Sequence, residues 1–222
     1  MNVKLISYTK PVQDLEDQGV KTVEDLITFA ARVSNPANQF NMLTSKQLIK
    51  FLKKHKHWSP FEMVDVTLEI ETTRDIGRQI LRHASFRFQE FSQRYADVRV
   101  LGDMFEFSEA RLQDDKNRQG SIVSNDPELN TWWEQQQKAV AELSQSVYEQ
   151  ALERGIAKEV ARKVLPEGLT KSRMYMKGSI RSWIHYLEVR GPGSGTQKEH
   201  MAVAKCIAEV LSQIFPIENM ES

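Results

Sequence analysis

From Val64 to Glu71 apolar and polar residues alternate without a break: Val64, Val66, Leu68 and Ile70 against Asp65, Thr67, Glu69 and Glu71. Side chains on a strand point in turn to opposite faces, so this segment is a strand with one buried and one solvated face. A one-sided strand must be covered by other elements, and the remainder of the chain supplies mostly helical patterns. That combination is helix-rich with a few strands, most consistent with an α+β fold.

Thr22 can cap a helix in which Leu26, Ala30 and Val33 recur at helical spacing, and Thr44 with Gln47 forms a capping-box pattern ahead of Leu48, Phe51 and Leu52. Ile76, Ile80 and Ala84 return to that spacing, with Arg74, Arg78 and Arg82 four apart on a second face. Phe86 and Phe88 then alternate with Arg87 and Gln89, which predicts an extended segment reaching about Val100. Asp126-Pro127 is a strong helix start, and the helix runs through Leu129, Trp132, Trp133, Val140, Leu143, Val147 and Ala151 to Gly155. A short helix with Val160 and Val164 ends before Pro166. A longer one is expected from about Thr170 to Val189, broken by Gly191-Pro192-Gly193-Ser194-Gly195. Thr196 and Glu199 form a capping pattern for a last helix bearing Val203, Ile207, Val210, Leu211 and Ile214. We read residues 1–222 as one domain, with 101–126 as a polar surface excursion.

The 30 Lys and Arg residues equal the 30 Asp and Glu residues. A zero net charge argues against a general nucleic-acid coat or a membrane-surface protein, but leaves room for a local cationic pocket. No apolar run suggests a signal peptide or a membrane span, and a lone Cys206 fits a reducing, cytoplasmic setting. His55 and His57 two residues apart are a weak metal signal, and no metal is expected. Neither a Gly-x-Gly-x-x-Gly nor a Walker pattern is present.

The densest chemistry lies in Arg82-His-Ala-Ser-Phe-Arg-Phe-Gln-Glu-Phe-Ser-Gln-Arg-Tyr95. Guanidiniums bind phosphates through paired hydrogen bonds, hydroxyls complete such sites, and aromatic neighbours exclude water. An arginine stripe on a lone helix is more often solvated; the continuation into His83, Glu90, Ser92, Arg94 and Tyr95 favours a ligand site. Arg173, Lys177, Arg181 and His185 would share one side of the expected 170–189 helix, with Arg190 at its end.

These segments in this order resemble the flavin-dependent thymidylate synthases (ThyX). The family signature is Arg-His-Arg, seven residues and Ser, continuing to x-Arg-Tyr; here Arg82-His83, Ser92, Arg94 and Tyr95 stand at that separation. AARVS at 30–34, KHKHWSPFE at 54–62, RQILRH at 78–83, EVARKVLP at 159–166, IRSWIHYLEVR at 180–190 and TQKEH at 196–200 agree with it. The resemblance implies homotetramers with active sites shared between subunits and FAD in an elongated cleft. It implies conversion of dUMP, methylenetetrahydrofolate and NADPH into dTMP, tetrahydrofolate and NADP.

Carried over by position, Ser59, Arg82, His83, Ala84, Glu90, Ser179, Ile180, Arg181 and His185 would contact FAD. Gln79, Ile80, Leu81 and Arg82, then Glu90, Phe91, Ser92, Gln93 and Arg94, with Arg162 and Arg190, would hold dUMP. Arg190 would be catalytic, a fixed cation favouring ionisation of the uracil ring at N3, so that no cysteine nucleophile is needed. Two departures stand out. Ala84 replaces the second signature arginine, whose flavin contact Arg87 could supply, and GPGSG follows Arg190 where many members carry a histidine. A related activity, hydroxymethylation of dUMP or dCMP, is the nearest alternative; a nucleic-acid-binding module built on the Arg74–Arg94 face is a remote one.

Overall fold

The computed structural model describes residues 1–217. Its centre is a four-stranded antiparallel sheet in the order β1 (Asn2–Tyr8), β2 (Asp65–Thr73), β6 (Lys171–Ser179), β3 (Arg87–Glu90). As the alternation required, Val66, Leu68 and Ile70 are fully buried on one face of β2. The other face carries an ion-pair lattice in which Lys4 and Arg173 meet Glu69, Arg173 meets Glu71, and Lys177 meets Asp65. Central position costs Glu69 most of its exposure, and these cations compensate its burial.

Eight helices accompany the sheet among the described residues: α1 (Gln13–Asp17), α2 (Val23–Ala31), α3 (Ser45–Lys54), α4 (Arg74–Ile80), α5 (Pro127–Glu153), α6 (Lys158–Ala161), α7 (Ile180–Arg190) and α8 (Lys198–Leu211). The main core joins Leu68, Ile70, Met174 and Met176 of the sheet to Ile27, Ile49, Trp183, Val203, Ile207 and Leu211 of the helices. Trp183 is also tied to the sheet, donating from Nε1 to the Val66 carbonyl at 3.2 Å. A smaller core forms from Val98, Met104, Tyr148 and Ala161.

The α5 start is as read: Asp126 accepts from the backbone N–H groups of Glu128 and Leu129, Pro127 takes the first position, and Gly155 follows the end at φ +81°. Several expectations are corrected. Residues 171–179 form a strand, not the first half of a helix. Ser172, Met174, Met176 and Gly178 face inward and pair along β2, while Arg173, Tyr175 and Lys177 face out. The four-residue spacing of Arg173, Lys177, Arg181 and His185 therefore spans two elements and is no common face. The arginine helix ends at Ile80, leaving Arg82 and Ala84 outside it, and the extended segment stops at Glu90. On α2 the buried residues are Val23, Ile27 and Thr28, while Val33 lies beyond the helix in solvent. Thr44 makes no side-chain cap because its Oγ1 accepts from Arg32. Thr196 makes none because α8 starts one residue later, with Gln197 at its cap, and the Thr196 oxygen accepts from the Ser194 hydroxyl.

Within 101–126, Met104 and Ala110 are buried, Phe105 bridges Thr170, and a short hairpin pairs β4 (Arg111–Gln113) with β5 (Ser121–Val123). None of the described helices is long and apolar enough to cross a membrane.

Candidate active site

The signature segment folds as a tight turn between α4 and β3. The His83 N–H donates to the Ile80 carbonyl and the Phe86 N–H to the His83 carbonyl, while Arg87 Nη1 donates to the carbonyls of Ala84 and Phe86. Phe86 anchors the turn in the core, edge-on to Trp183 with ring centroids 4.6 Å apart. It lies on Gly178, the β6 position where a side chain would collide with its ring. The turn thereby presents His83 against Tyr186 of α7 at 4.8 Å between centroids.

Arg190, at the C-terminal end of α7, reaches back and donates from Nε to His83 Nε2 at 3.0 Å. A helix C-terminus favours a cation, and an accepting Nε2 requires a neutral imidazole. Burial, then the Arg190 charge, lower the His83 pKa to about 4, so the ring stays neutral near pH 7. Beside this pair, Gln79 of α4 is bonded to Gln197 at 2.8 Å and to His200 of α8 at 3.1 Å; His200 in turn meets the Tyr186 hydroxyl at 2.9 Å.

The other predicted residues fall into neighbouring clefts. One, of about 330 Å³, is walled by Trp58, Ser85, Arg181, Ser182 and His185. At its edge Ser179 caps α7, accepting from the Ser182 N–H and donating to Glu62, which also holds Arg181 at 2.8 Å. A second, about 470 Å³, runs over Glu90, Phe91, Ser92 and Arg173. There Glu90 receives the Ser172 hydroxyl and lies 3.6 Å from Arg74. A third holds Ser92, Arg94 and Tyr95 beside α6, with Arg94 on Glu159 at 3.2 Å. Arg162 and Arg78 are close enough to Arg74 to depress its pKa, after the larger effect of burial. This is a guanidinium cluster suited to a phosphate.

Ser59 is exposed, and Ile80 and Ile180 are fully buried with their side chains in the core, so either isoleucine can serve a ligand only through its backbone. The Ile180 N–H is already given to the Val64 carbonyl. Leu81 caps α4 and Gln93 is buried with an unpartnered Nε2. Trp58, Glu62, Tyr186, Gln197 and His200 were not singled out from sequence, although all lie in the segments KHKHWSPFE, IRSWIHYLEVR and TQKEH. His55 and His57 flank the Phe51 ring, and no group of three metal-ligating side chains converges among the described residues.

The family model of the thymidylate synthase complementing proteins matches residues 15–217. A flavin-dependent thymidylate synthase of Synechocystis sp. is 49% identical over 216 residues, covering 97% of this chain and 96% of that protein. The chain belongs to the flavin-dependent thymidylate synthase family. A UMP/dUMP methylase, PolB from Streptomyces cacaoi, solved with 5-Br dUMP, superposes with a TM-score of 0.78 at 25% identity, over 96% of this chain and 90% of that one. The same protein with 5-Br UMP gives 0.79. Among flavin-dependent thymidylate synthases, this member therefore keeps the mixed helix and antiparallel-sheet fold, with the signature turn leading into its edge strand β3.

Proposed function

We propose that this chain makes dTMP from dUMP, drawing the carbon from methylenetetrahydrofolate and the reducing equivalents from NADPH through FAD. The balanced reaction is dUMP, methylenetetrahydrofolate, NADPH and a proton giving dTMP, tetrahydrofolate and NADP⁺. Family membership supports the flavin and the methylation; the observation that carries the mechanism is Arg190 resting on a neutral His83.

The residues present suit a flavin dinucleotide. The Trp58 ring, the Ser85 hydroxyl, the Arg181 guanidinium and the His185 imidazole line one cleft along α7, an aromatic face with polar neighbours; Glu62 and Glu188 share it, so a pyrophosphate there would have to displace Glu62 from Arg181. When bound, the flavin supplies the hydride chemistry that side chains lack. By the family resemblance Arg82, His83, Ala84, Ser59 and Ser179 are assigned to the flavin as well, with Glu90 reaching it from the separate cleft over residues 90–92 and Ile180 serving only through its backbone. The nucleotide is assigned to Gln79 through Arg82 and Glu90 through Arg94, with Arg162 on the phosphate side. Arg190 places a permanent charge where the uracil ring develops negative charge, and a dry aromatic surround strengthens that interaction.

We further propose a homotetramer in which two copies complete each site. The 330 Å³ cleft is smaller than a whole flavin dinucleotide, and the predicted contacts are divided among separate clefts of one chain. Trp132, Trp133, Val140, Leu143 and Val147 also form an exposed stripe on α5, which a second copy would cover.

The test is turnover of dUMP, UMP and dCMP with methylenetetrahydrofolate and NADPH, read by product mass. A yellow protein yielding dTMP is expected, and Arg190→Ala should abolish turnover with FAD still bound. A protein that takes up no flavin sinks the reading, and a hydroxymethyl product replaces it with the alternative.

A further inference from the structure

Tyr186 and His200 are both fully buried, and neither has a part in the scheme above. A buried imidazole must satisfy both ring nitrogens, and here they join Tyr186 on one side to Gln79 on the other. The direction of this chain of bonds follows from its buried end. If His200 Nε2 donated to the phenol oxygen, the Tyr186 proton would be left unused in the core. An orphaned buried donor is rarer and costlier than an under-used acceptor. Tyr186 O–H therefore donates to His200 Nε2, and His200 carries its proton on Nδ1. Nδ1–H donates to Gln79 Oε1, which turns the Gln79 amide nitrogen outward, where one N–H goes to Gln197 Oε1. Gln197 is exposed, so its amide adapts to this order rather than setting it.

We propose that His200, held in one tautomer by Tyr186, is a positioning residue that fixes the Gln79 amide so that the nucleotide site meets an N–H donor rather than a carbonyl. The ligand group this selects is an acceptor oxygen of the nucleotide. The inference rests on Gln79 belonging to the dUMP site. Burial, with Arg190 and His83 adding smaller effects, brings the His200 pKa down to about 3, so the ring keeps this neutral form throughout the physiological range.

Two measurements test it on the full-length flavoprotein. With ¹⁵N-labelled histidine, ring nitrogen shifts should report His200 as the Nδ1–H tautomer, unchanged in Tyr186-intact protein between about pH 6 and 9. Equilibrium binding of dUMP should weaken roughly ten-fold in His200→Leu, the size of one lost oriented hydrogen bond, while FAD affinity holds. His200→Asn, which keeps an N–H near the Nδ1 position, should recover most of the loss, and Tyr186→Phe should fall between. An Nε2–H tautomer, or equal weakening of FAD and dUMP in every variant, overturns the inference, the latter leaving His200 a packing residue only. Unchanged dUMP affinity in His200→Leu overturns it alone; no dUMP binding by the unsubstituted protein overturns the reading of the site as well.

Discussion

Gly178→Ala is a one-methyl change whose effect can be worked out from the packing around Phe86. A Cβ at 178 would lie 2.5 Å from Phe86 Cδ1 and 2.6 Å from Cε1. Carbon atoms rest about 3.5–4.0 Å apart, so the ring must retreat by about 1 Å. It has little room to do so. Trp183 stands edge-on at 4.6 Å and is fixed by its bond to the Val66 carbonyl, and Tyr186 lies behind at 5.9 Å. The retreat therefore moves the 83–86 turn, and with it the His83–Arg190 pair.

Overpacking of this kind costs about 1–3 kcal/mol. For a chain of this length that is a fall in Tm of about 2–12 °C. Thermal and urea unfolding should show the loss, and FAD titration should show weakened binding because Ser85 of the turn lines the cleft proposed for the flavin. Phe86→Leu removes the colliding ring. In the double variant Gly178→Ala/Phe86→Leu the two costs should therefore fall short of their sum by about 1 kcal/mol or more. If Gly178→Ala unfolds within about 0.5 kcal/mol of the parent, or the double variant is additive, the claim that this glycine sets the position of the signature turn is wrong.

Two further outcomes are expected. Folding keeps His83 and His200 neutral, with pKa values brought down from 6.5 to about 4 and about 3. The unfolded chain binds protons that the native one refuses, so their stabilising contribution is whole above about pH 6.5 and shrinks as pH falls toward 4 and 3, by at most about 1.4 kcal/mol per unit per group, His83 contributing less because it is half-exposed. Urea midpoints at about pH 7.5 and pH 5 should differ in that sense, and equal midpoints would contradict the assignment. Leu143→Glu, at a position 67% exposed in the single chain, should lower the mass by light scattering while helicity persists; an unchanged mass moves the subunit contact away from α5.

Legibility from sequence followed how local each determinant is. β2 could be read because its period of two coincides with complete burial of one face. α5 could be read because Asp126 and Pro127 act within a turn of each other. β6 could not. Its inward set is Ser172, Met174, Met176 and Gly178, of weak strand propensity, while its basic residues happen to fall at helical spacing; pairing with β2 over its whole length overrides both. The threonines at 44 and 196 had the right neighbours for caps, but the Thr44 oxygen accepts from Arg32, twelve positions away, and the Thr196 oxygen from Ser194 in the turn that delays the start of α8 to Gln197. Signature residues could be carried over by resemblance. The chain of bonds from Tyr186 through His200 to Gln79 could not, because its last link joins residues 121 positions apart and no local pattern requires it.

The arginines of the site divide by the partner each has in the free chain. Arg78 rests on Glu167, Arg94 on Glu159 and Arg181 on Glu62, all at the surface. Exposed pairs of this kind are worth about 0–1 kcal/mol, so an arriving phosphate displaces the carboxylate at little cost and the pair serves to hold the guanidinium in place. Arg190 has a neutral imidazole instead. An imidazole orients the guanidinium without cancelling its charge, and burial, with the Arg190 charge second, keeps that imidazole neutral. A carboxylate there would hold Arg190 as firmly but would cancel its field, which the proposed mechanism needs at the uracil ring. On the proposed reading, cations that only bind can thus be shared with an anion, whereas a cation that polarises must be positioned by a group with no charge.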